Sequence, residues 1–309
     1  MLSKTKLKQI NWPEPLVVHP TTAHTHSIIL LHGRGSSAER FGLEILAAKS
    51  SANKSLAEHL PSAKIIFPTA KKRRSTVLKR IPINQWFDNF SLEDPSQRQH
   101  LQYDGISETS EFVMTLVNQE AEVVGMERVI VGGLSQGCAA ALHVLLNSGG
   151  KVAMGGFVGM SGWLPFAETL DPTVVDRDDG HDEDNDIFGP DSDNEDETEN
   201  RGSEQELDRR YVPLLELQRT AANTARDIAS LPSLSAAQEV VFPSTPIFLG
   251  HGRNDEKVSV DLGEQARHVL ESLGCKVRWR DYDEGHWYKV PEEIDDIVDF
   301  LQDIITPRN

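Results

Sequence analysis

Short runs of apolar residues alternate with longer amphipathic stretches along most of the chain. Each run is continuous and ends at glycine, proline or aspartate, which is typical of a parallel strand buried on both faces. Six such strands are predicted, at residues 27–33, 63–70, 128–133, 155–162, 245–252 and 276–283. The stretches between them predict helices at 107–124, 138–147, 259–273 and 291–305. This alternation indicates an α/β fold with a mainly parallel sheet and helices on both faces.

One segment interrupts the alternation. Residues 171–206 contain 16 Asp and Glu and two Arg, which places −14 of the chain's net charge of −17 in this segment. A segment with so few apolar side chains cannot offset its ordering entropy and is predicted to be disordered. Residues 213–231 then present one apolar face and predict either a cap helix or an extra packing helix. We therefore expect a single domain over 1–309 that carries an insertion at 166–244.

The remaining composition excludes some classes of function. Outside the acidic segment the chain holds 32 of its 48 acids and 29 of its 31 bases, and such a balanced surface argues against nucleic-acid binding. Cys138 and Cys275 are expected to be buried free thiols in a reducing compartment. With no secretory signal and no run of 18 apolar residues, we expect a cytoplasmic protein, or a nuclear one, without a membrane span.

A basic run and the acidic segment carry further expectations. Residues 71–74, with the sequence KKRR, are expected to form a solvated loop. The alternatives are transient contact with an anionic membrane surface and attraction to the chain's own acidic segment. The acidic segment itself would bind a basic partner or screen a cleft electrostatically.

A serine stands where a predicted strand meets a predicted helix. Residues 133–137, GLSQG, match the G-x-S-x-G pattern of a nucleophile elbow, in which small neighbours let the two backbones approach. Ser135 is therefore a candidate nucleophile, and the alternative is a serine that caps the helix. A serine nucleophile needs a base and an orienting acid, which follow it in the chain order acid, then histidine. Asp255 follows the penultimate strand and His286 the last one, so they are the candidates, with ordinary loop roles as the alternatives.

Acyl transfer also requires two backbone N–H groups that stabilise the oxyanion. The residue after the nucleophile, Gln136, supplies one. The glycine-bearing loop LLHGRGSS, residues 30–37, supplies the other through the amide of Arg34. Gly33 and Gly35 on either side would let this loop pass close to a substrate.

Seven motifs occur in a consistent order: HGRGSS (32–37), PTA (68–70), WFD (86–88), GLSQG (133–137), SGWLP (161–165), HGRNDEKV (251–258) and EGHWY (284–288). Together they resemble the phospholipase/carboxylesterase family of α/β-hydrolases, which includes acyl-protein thioesterases. The resemblance implies Ser135, Asp255 and His286 as a catalytic triad and Arg34 and Gln136 as oxyanion amides. It also implies substrate contacts for the residues Gly33, Gly35, Trp86 and Trp163, although packing is an equal alternative for Trp86.

The function that the resemblance implies is a serine hydrolase that cleaves acyl esters or thioesters through an acyl-enzyme, with no metal or organic cofactor. Acylated proteins and lysophospholipids are the expected substrates, and the insertion at 166–244 keeps the family's acyl-chain preference from being carried over. The alternatives are an enzyme of the dienelactone hydrolase type, which has a cysteine nucleophile, and a non-catalytic interaction protein that binds through the acidic insertion. The oligomeric state is left open.

Overall fold

The computed structural model describes residues 12–173 and 212–306. Its strands are β1 (Leu16–Val18), β2 (His26–Leu31), β3 (Ala63–Phe67), β4 (Lys72–Ser75), β5 (Ile81–Asn84), β6 (Val129–Leu134), β7 (Gly149–Gly150), β8 (Gly156–Met160), β9 (Glu239–Val240), β10 (Ile247–Gly252) and β11 (Val277–Tyr282). Its α-helices are α1 (Ala38–Ala47), α2 (Leu56–His59), α3 (Tyr103–Val124), α4 (Gln136–Asn147), α5 (Ala167–Leu170), α6 (Leu214–Ile228), α7 (Val260–Ser272) and α8 (Glu292–Ile305).

The central sheet has seven strands in the order β1-β3-β2-β6-β8-β10-β11. Its neighbours pair in parallel, except that β1 runs antiparallel to β3 at one edge. The six predicted strands all belong to this sheet, which confirms the mainly parallel α/β fold. Because the strands are parallel, the loops that leave their carboxyl ends meet at one edge of the sheet.

Both faces of the sheet are covered, which explains the continuous apolar runs. Successive side chains of a strand point to opposite faces, so Ile29 and Leu31 pack on the side of α3 and α4. Ile28 and Leu30 pack on the opposite side, in the core that includes Phe41 of α1 and residues of α8. The sheet is thus packed on its two faces by separate apolar clusters.

The basic run 71–74 corrects an expectation, because it lies in a hairpin of β4 and β5 and not in a solvated loop. Lys71 and Arg73 turn inward, and their side-chain nitrogens lie 3.1 Å and 2.7 Å from Oε2 of Glu108 on α3. Lys72 and Arg74, on the alternate face, are exposed. The period-two alternation of a strand therefore divides the run into cations that pair with Glu108 and cations that are exposed.

The described part of the insertion includes α6, whereas residues 174–206 of the acidic segment lie outside the described residues. Helix α6 buries Ala221, Ala222, Ala225 and Ile228, and its Arg226 donates a 2.7 Å hydrogen bond to the carbonyl of Asn147. Asn147 ends α4, about 18 Å along the helix from its start beside Ser135. Of the two alternatives for 213–231, these contacts favour a packing helix.

Two further features concern the thiols and the membrane. Cys138 and Cys275 are both buried and free, and burial raises the pKa of each thiol to about 12. Within residues 12–173 and 212–306, no helix combines the length and apolar character needed to span a bilayer.

Candidate active site

Ser135 stands between β6 and α4 with φ 55° and ψ −121°. A positive φ is costly for a residue with a side chain and persists only where the surroundings impose it. Here the Ser135 N–H donates a 2.8 Å hydrogen bond to the carbonyl of Met160 on β8. Ser135 makes no side-chain capping bond to the described first turn of α4, so the helix-capping alternative gains no support.

The two glycines of the elbow are required by close backbone contacts. A Cβ at Gly133 would lie 2.5 Å from the carbonyl oxygen of Leu31, and one at Gly137 would lie 2.2 Å from the same atom. Both distances are far below van der Waals contact, and the obstacle is the backbone of a central strand. The two glycines of the G-x-S-x-G pattern are therefore required because the backbone of β2 lies against the elbow.

The loops after β10 and β11 bring Asp255 and His286 to Ser135. The His286 Nε2 lies 3.0 Å from Ser135 Oγ, and its Nδ1 lies 2.7 Å from Asp255 Oδ2. The three side chains thus form one continuous hydrogen-bonded chain, although they are separated by up to 151 positions in sequence. A neutral imidazole with its proton on Nδ1 presents a lone pair to the serine, which is the arrangement a general base needs.

Asp255 is held as a carboxylate. Burial of its side chain would raise its pKa, but hydrogen bonds from His251, His286 and the Val258 N–H hold the pKa well below its usual range. The Asp255 Oδ1 accepts 2.9 Å hydrogen bonds from the N–H groups of Lys257 and Val258. The tight loop after β10 therefore keeps the acid charged and fixed in position.

His251 is a residue whose role sequence reasoning missed. Its buried Nε2 lies 2.9 Å from the carbonyl oxygen of Val258 and 3.4 Å from Asp255 Oδ2. His251 thus contacts the loop that carries Asp255 at two points and helps to hold it in position. The available signal was a histidine at the buried end of β10, four positions before Asp255.

The loop that carries Arg34 lies beside the nucleophile. A Cβ at Gly33 would lie 3.6 Å from the Ser135 Cβ, and Gly35, with φ 78°, donates a 2.7 Å hydrogen bond to the carbonyl of Asn84. His32 anchors the loop, since its Nδ1 donates to the Gly33 carbonyl at 2.7 Å and its Nε2 accepts from the Ala70 N–H at 3.0 Å. Burial lowers the pKa of His32 to about 4, so this neutral tautomer persists at physiological pH.

Trp86 supports the site from below. Its N–H donates a 3.0 Å hydrogen bond to Gln136 Oε1, and its Nε1 donates a 2.7 Å hydrogen bond to the His32 carbonyl. The indole is completely buried, as is that of Trp163, whose ring meets Phe87 edge-on. The substrate contacts expected of Trp86 and Trp163 stay a prediction, while the hydrogen bonds of Trp86 join the elbow to the loop that carries Arg34.

Ser135 opens into a cleft of about 330 Å³. Gly33 and Gly35, expected near substrate, both line it. Besides Ser36 and the catalytic pair, the lining side chains form an apolar and a cationic group: Phe41, Leu92, Leu134 and Trp287, and then Arg34, Arg40 and Lys257. Within the described ranges, no group of three or more His, Cys, Asp or Glu is placed to hold a metal ion. The cleft combines a nucleophile with a base and an apolar wall, as acyl transfer requires.

Comparisons with known proteins find similar sequences and a similar fold. A family model described as phospholipase/carboxylesterase matches residues 13–177. Acyl-protein thioesterase 1 of Gibberella zeae is 23% identical over 302 residues, covering 96% of this chain and 97% of that protein. Acyl-protein thioesterase 1 of Yarrowia lipolytica is 26% identical over 298 residues, covering 95% and 98%. The crystal structure of Zea mays acyl-protein thioesterase 2 has a TM-score of 0.61 and 23% identity, covers 95% of this chain and 100% of that one, and shows the shared fold.

Proposed function

The chain belongs to the phospholipase/carboxylesterase family and is a hydrolase of carboxylic esters or thioesters, and we propose that Ser135, His286 and Asp255 carry the reaction. The hydroxyl of Ser135 attacks the substrate carbonyl while His286 Nε2 takes its proton. The negative charge that develops on the carbonyl oxygen is stabilised by the N–H groups of Arg34 and Gln136.

Breakdown of the tetrahedral intermediate releases the alcohol or thiol. His286 returns its proton to the leaving oxygen or sulfur, and the acyl group remains on Ser135 as an ester. A water molecule deprotonated by His286 then attacks this ester. The bond between the acyl carbon and Ser135 Oγ breaks, His286 returns the proton to Oγ, and the carboxylic acid leaves. Throughout both steps, Asp255 holds the proton of His286 on Nδ1 and stabilises the imidazolium that forms.

The observation that carries this proposal is the unbroken chain from Asp255 Oδ2 through His286 to Ser135 Oγ, at 2.7 Å and 3.0 Å. We would test it with p-nitrophenyl esters of two to sixteen carbons on the wild type and on Ser135→Ala, alongside labelling by a fluorophosphonate. Loss of turnover and labelling with the serine is expected. Wild-type turnover by Ser135→Ala would refute the mechanism, and a folded wild type that neither turns over esters nor becomes labelled would favour a non-catalytic scaffold.

The size of the cleft bears on the acyl group. At about 330 Å³ it is at the lower end of the usual range for small-molecule sites, roughly 300–1,000 Å³. We therefore propose that it holds a short or medium acyl chain against Phe41, Leu92 and Leu134, and that a longer chain extends beyond the cleft. Acylated proteins and lysophospholipids are the proposed natural substrates, in a cytoplasmic location, and the ester series above measures the preferred length.

The hairpin of β4 and β5 supports a transient contact with membrane surfaces. Its connecting turn and strand ends expose the apolar side chains of Val77, Leu78 and Ile81. Four exposed cations surround them, namely Lys72, Arg74, Lys79 and Arg80. Each basic residue near an anionic leaflet contributes about 1 kcal/mol of attraction, which salt screens. We expect binding to vesicles containing phosphatidylserine and none to phosphatidylcholine alone, and equal binding to both would refute this contact.

A further inference from the structure

The cleft around Ser135 is lined by three cations in a strongly acidic chain. Arg34, Arg40 and Lys257 all contribute to its wall, whereas none of the described lining residues is an aspartate or glutamate. The chain as a whole has a net charge of −17. The charged side chains that line the cleft are therefore opposite in sign to the net charge of the whole chain.

Of the three cations, Arg34 is the one with a buried side-chain nitrogen that lacks a hydrogen-bond acceptor among the described residues. That nitrogen is Nη1. Burial lowers the pKa of this guanidinium, and the charge of Asp88 only partly offsets that effect. Because Nη1 is closed to solvent, Arg34 acts on a substrate in the cleft through the field of its charge and not through a hydrogen bond from this atom.

Arg40 and Lys257 stand at the more exposed parts of the wall. Arg40 lies in the first turn of α1, and its Nε is 3.4 Å from Glu44 Oε1, a long and exposed pairing. Lys257 is exposed and makes no ion pair with a described residue. Both side chains are exposed and interact with a substrate at modest desolvation cost, Arg40 in competition with Glu44.

The cations flank the reacting centre from two sides. Arg34 belongs to the loop whose amide faces the oxyanion, and Arg40 follows it on α1. Lys257 belongs to the loop of Asp255, on the side of His286, which protonates the leaving group. A substrate bound for attack by Ser135 therefore lies between positive charges in a cleft where low-dielectric walls strengthen their field.

We infer that this cleft selects acyl esters or thioesters that carry an anionic group, a carboxylate or phosphate, within a few atoms of the scissile carbonyl. The inference rests on the proposed hydrolase function and names its substrate class. The anionic group belongs either to the leaving alcohol or thiol or to the acyl chain. Matched substrates distinguish these two sources.

The test uses two pairs of thioesters whose members differ in one charge. For the leaving group, S-butyryl 3-mercaptopropionate is compared with S-butyryl 3-mercaptopropionamide. For the acyl group, S-adipoyl N-acetylcysteamine is compared with its terminal adipamide. The released thiol is measured with a chromogenic disulfide, and kcat/KM is determined from low to high ionic strength. We expect the anionic member of at least one pair to be favoured about tenfold at low salt, and less as salt rises.

Variants then assign the preference to individual cations. Arg40→Gln and Lys257→Gln are each expected to lower the anionic-to-neutral ratio of kcat/KM about threefold, an effect within the range for an exposed ion pair. Arg34→Gln keeps its backbone amide and is expected to lower the ratio further. Arg267→Gln is the matched control, because its Nε pairs with Glu271 in the same i,i+4 geometry at 3.0 Å on α7, away from the cleft.

The outcomes separate this inference from the function on which it rests. Turnover of the neutral thioesters with a charge ratio within twofold of one, at every salt concentration, would overturn the inference and leave the triad intact. Equal losses on neutral and anionic substrates in the cation variants would also overturn it, since the cations would then act on the oxyanion alone. No turnover of any member, with no fluorophosphonate labelling of Ser135, would overturn both proposals.

Discussion

Replacing Glu293 by glutamine is expected to stabilise the protein at neutral pH. Glu293 is completely buried in the first turn of α8. Its Oε2 accepts a 2.9 Å hydrogen bond from the Lys289 N–H, whereas its Oε1 has no partner among the described residues. Oε1 also faces the backbone of β10, since a Cβ at Gly250 would lie 2.2 Å from it. Burial raises the pKa of this carboxyl from 4.5 to about 8, against the lowering effect of the Lys289 N–H.

The sign and size of the effect follow from proton linkage. Between pH 4.5 and about 8, the unfolded chain releases the Glu293 proton while the folded protein keeps it. The folded state then binds more protons than the unfolded chain. The contribution of Glu293 to the free energy of unfolding is therefore greatest below pH 4.5 and falls as pH rises. The loss is about 1.4 kcal/mol per pH unit in this window, or about 3 kcal/mol at pH 7. Glutamine has the same shape and does not titrate, so this loss disappears.

The measurement is the free energy of unfolding in urea at pH 5, 6, 7 and 8 for both proteins. The difference in favour of Glu293→Gln is expected to grow by about 2.5 kcal/mol between pH 5 and pH 7. Glu292→Gln is the matched control, because Glu292 is exposed in the same helical turn. Parallel curves for the wild type and Glu293→Gln across this range would refute the reasoning, since the folded protein would then hold an ionised carboxylate.

Three further predictions concern the site. Asp255→Asn is expected to lower kcat by about 10⁴-fold with little change in KM, because the asparagine favours the wrong imidazole tautomer; steady-state thioester turnover measures this. Gly137→Ala places a Cβ 2.2 Å from the Leu31 carbonyl and is expected to lower both the melting temperature and kcat, whereas Gly150→Ala, with open space around its Cβ, should change neither. His251→Phe keeps a ring but removes a buried donor, so urea denaturation should show a loss of about 1–3 kcal/mol.

The fold was predictable where hydrophobic pattern and burial agree. Five of the six strands followed from continuous apolar runs because they are buried on both faces, whereas β11 is a half-exposed edge strand. The edge strand β1 escaped prediction, since its three residues are too few to show a period and are only half-buried. Helix α1 escaped for a different reason. It contains Gly42, which weakens a helix, yet a Cβ there would lie 2.8 Å from Leu16 and 3.0 Å from Phe67. Tertiary packing therefore requires a residue that local propensity disfavours.

The sequence predicted the candidate reacting residues of the site, but not the residues that hold them in position. The spacing of strand ends directed attention to Ser135, Asp255 and His286, because a parallel sheet brings those ends to one edge. The same reasoning could not place Trp86, since a motif near the site does not say whether a side chain faces the substrate or the core. Its position depends on hydrogen bonds to Gln136 and His32, at positions 50 and 54 residues away in sequence.

The net charge of the chain likewise does not predict which substrates the cleft prefers. A charge of −17 suggests a protein that repels anions, yet the sequence concentrates −14 of it in residues 171–206. Fields in physiological salt decay over about 8 Å, so a bound substrate responds mainly to the charges that line its cleft. Those charges are Arg34, Arg40 and Lys257. The sequence assigned Arg34 only a backbone amide, because the motif specifies the course of the loop and not the direction of the side chain. Arg34 lines the cleft, and the matched thioesters therefore test a property that neither the motif nor the total charge determines.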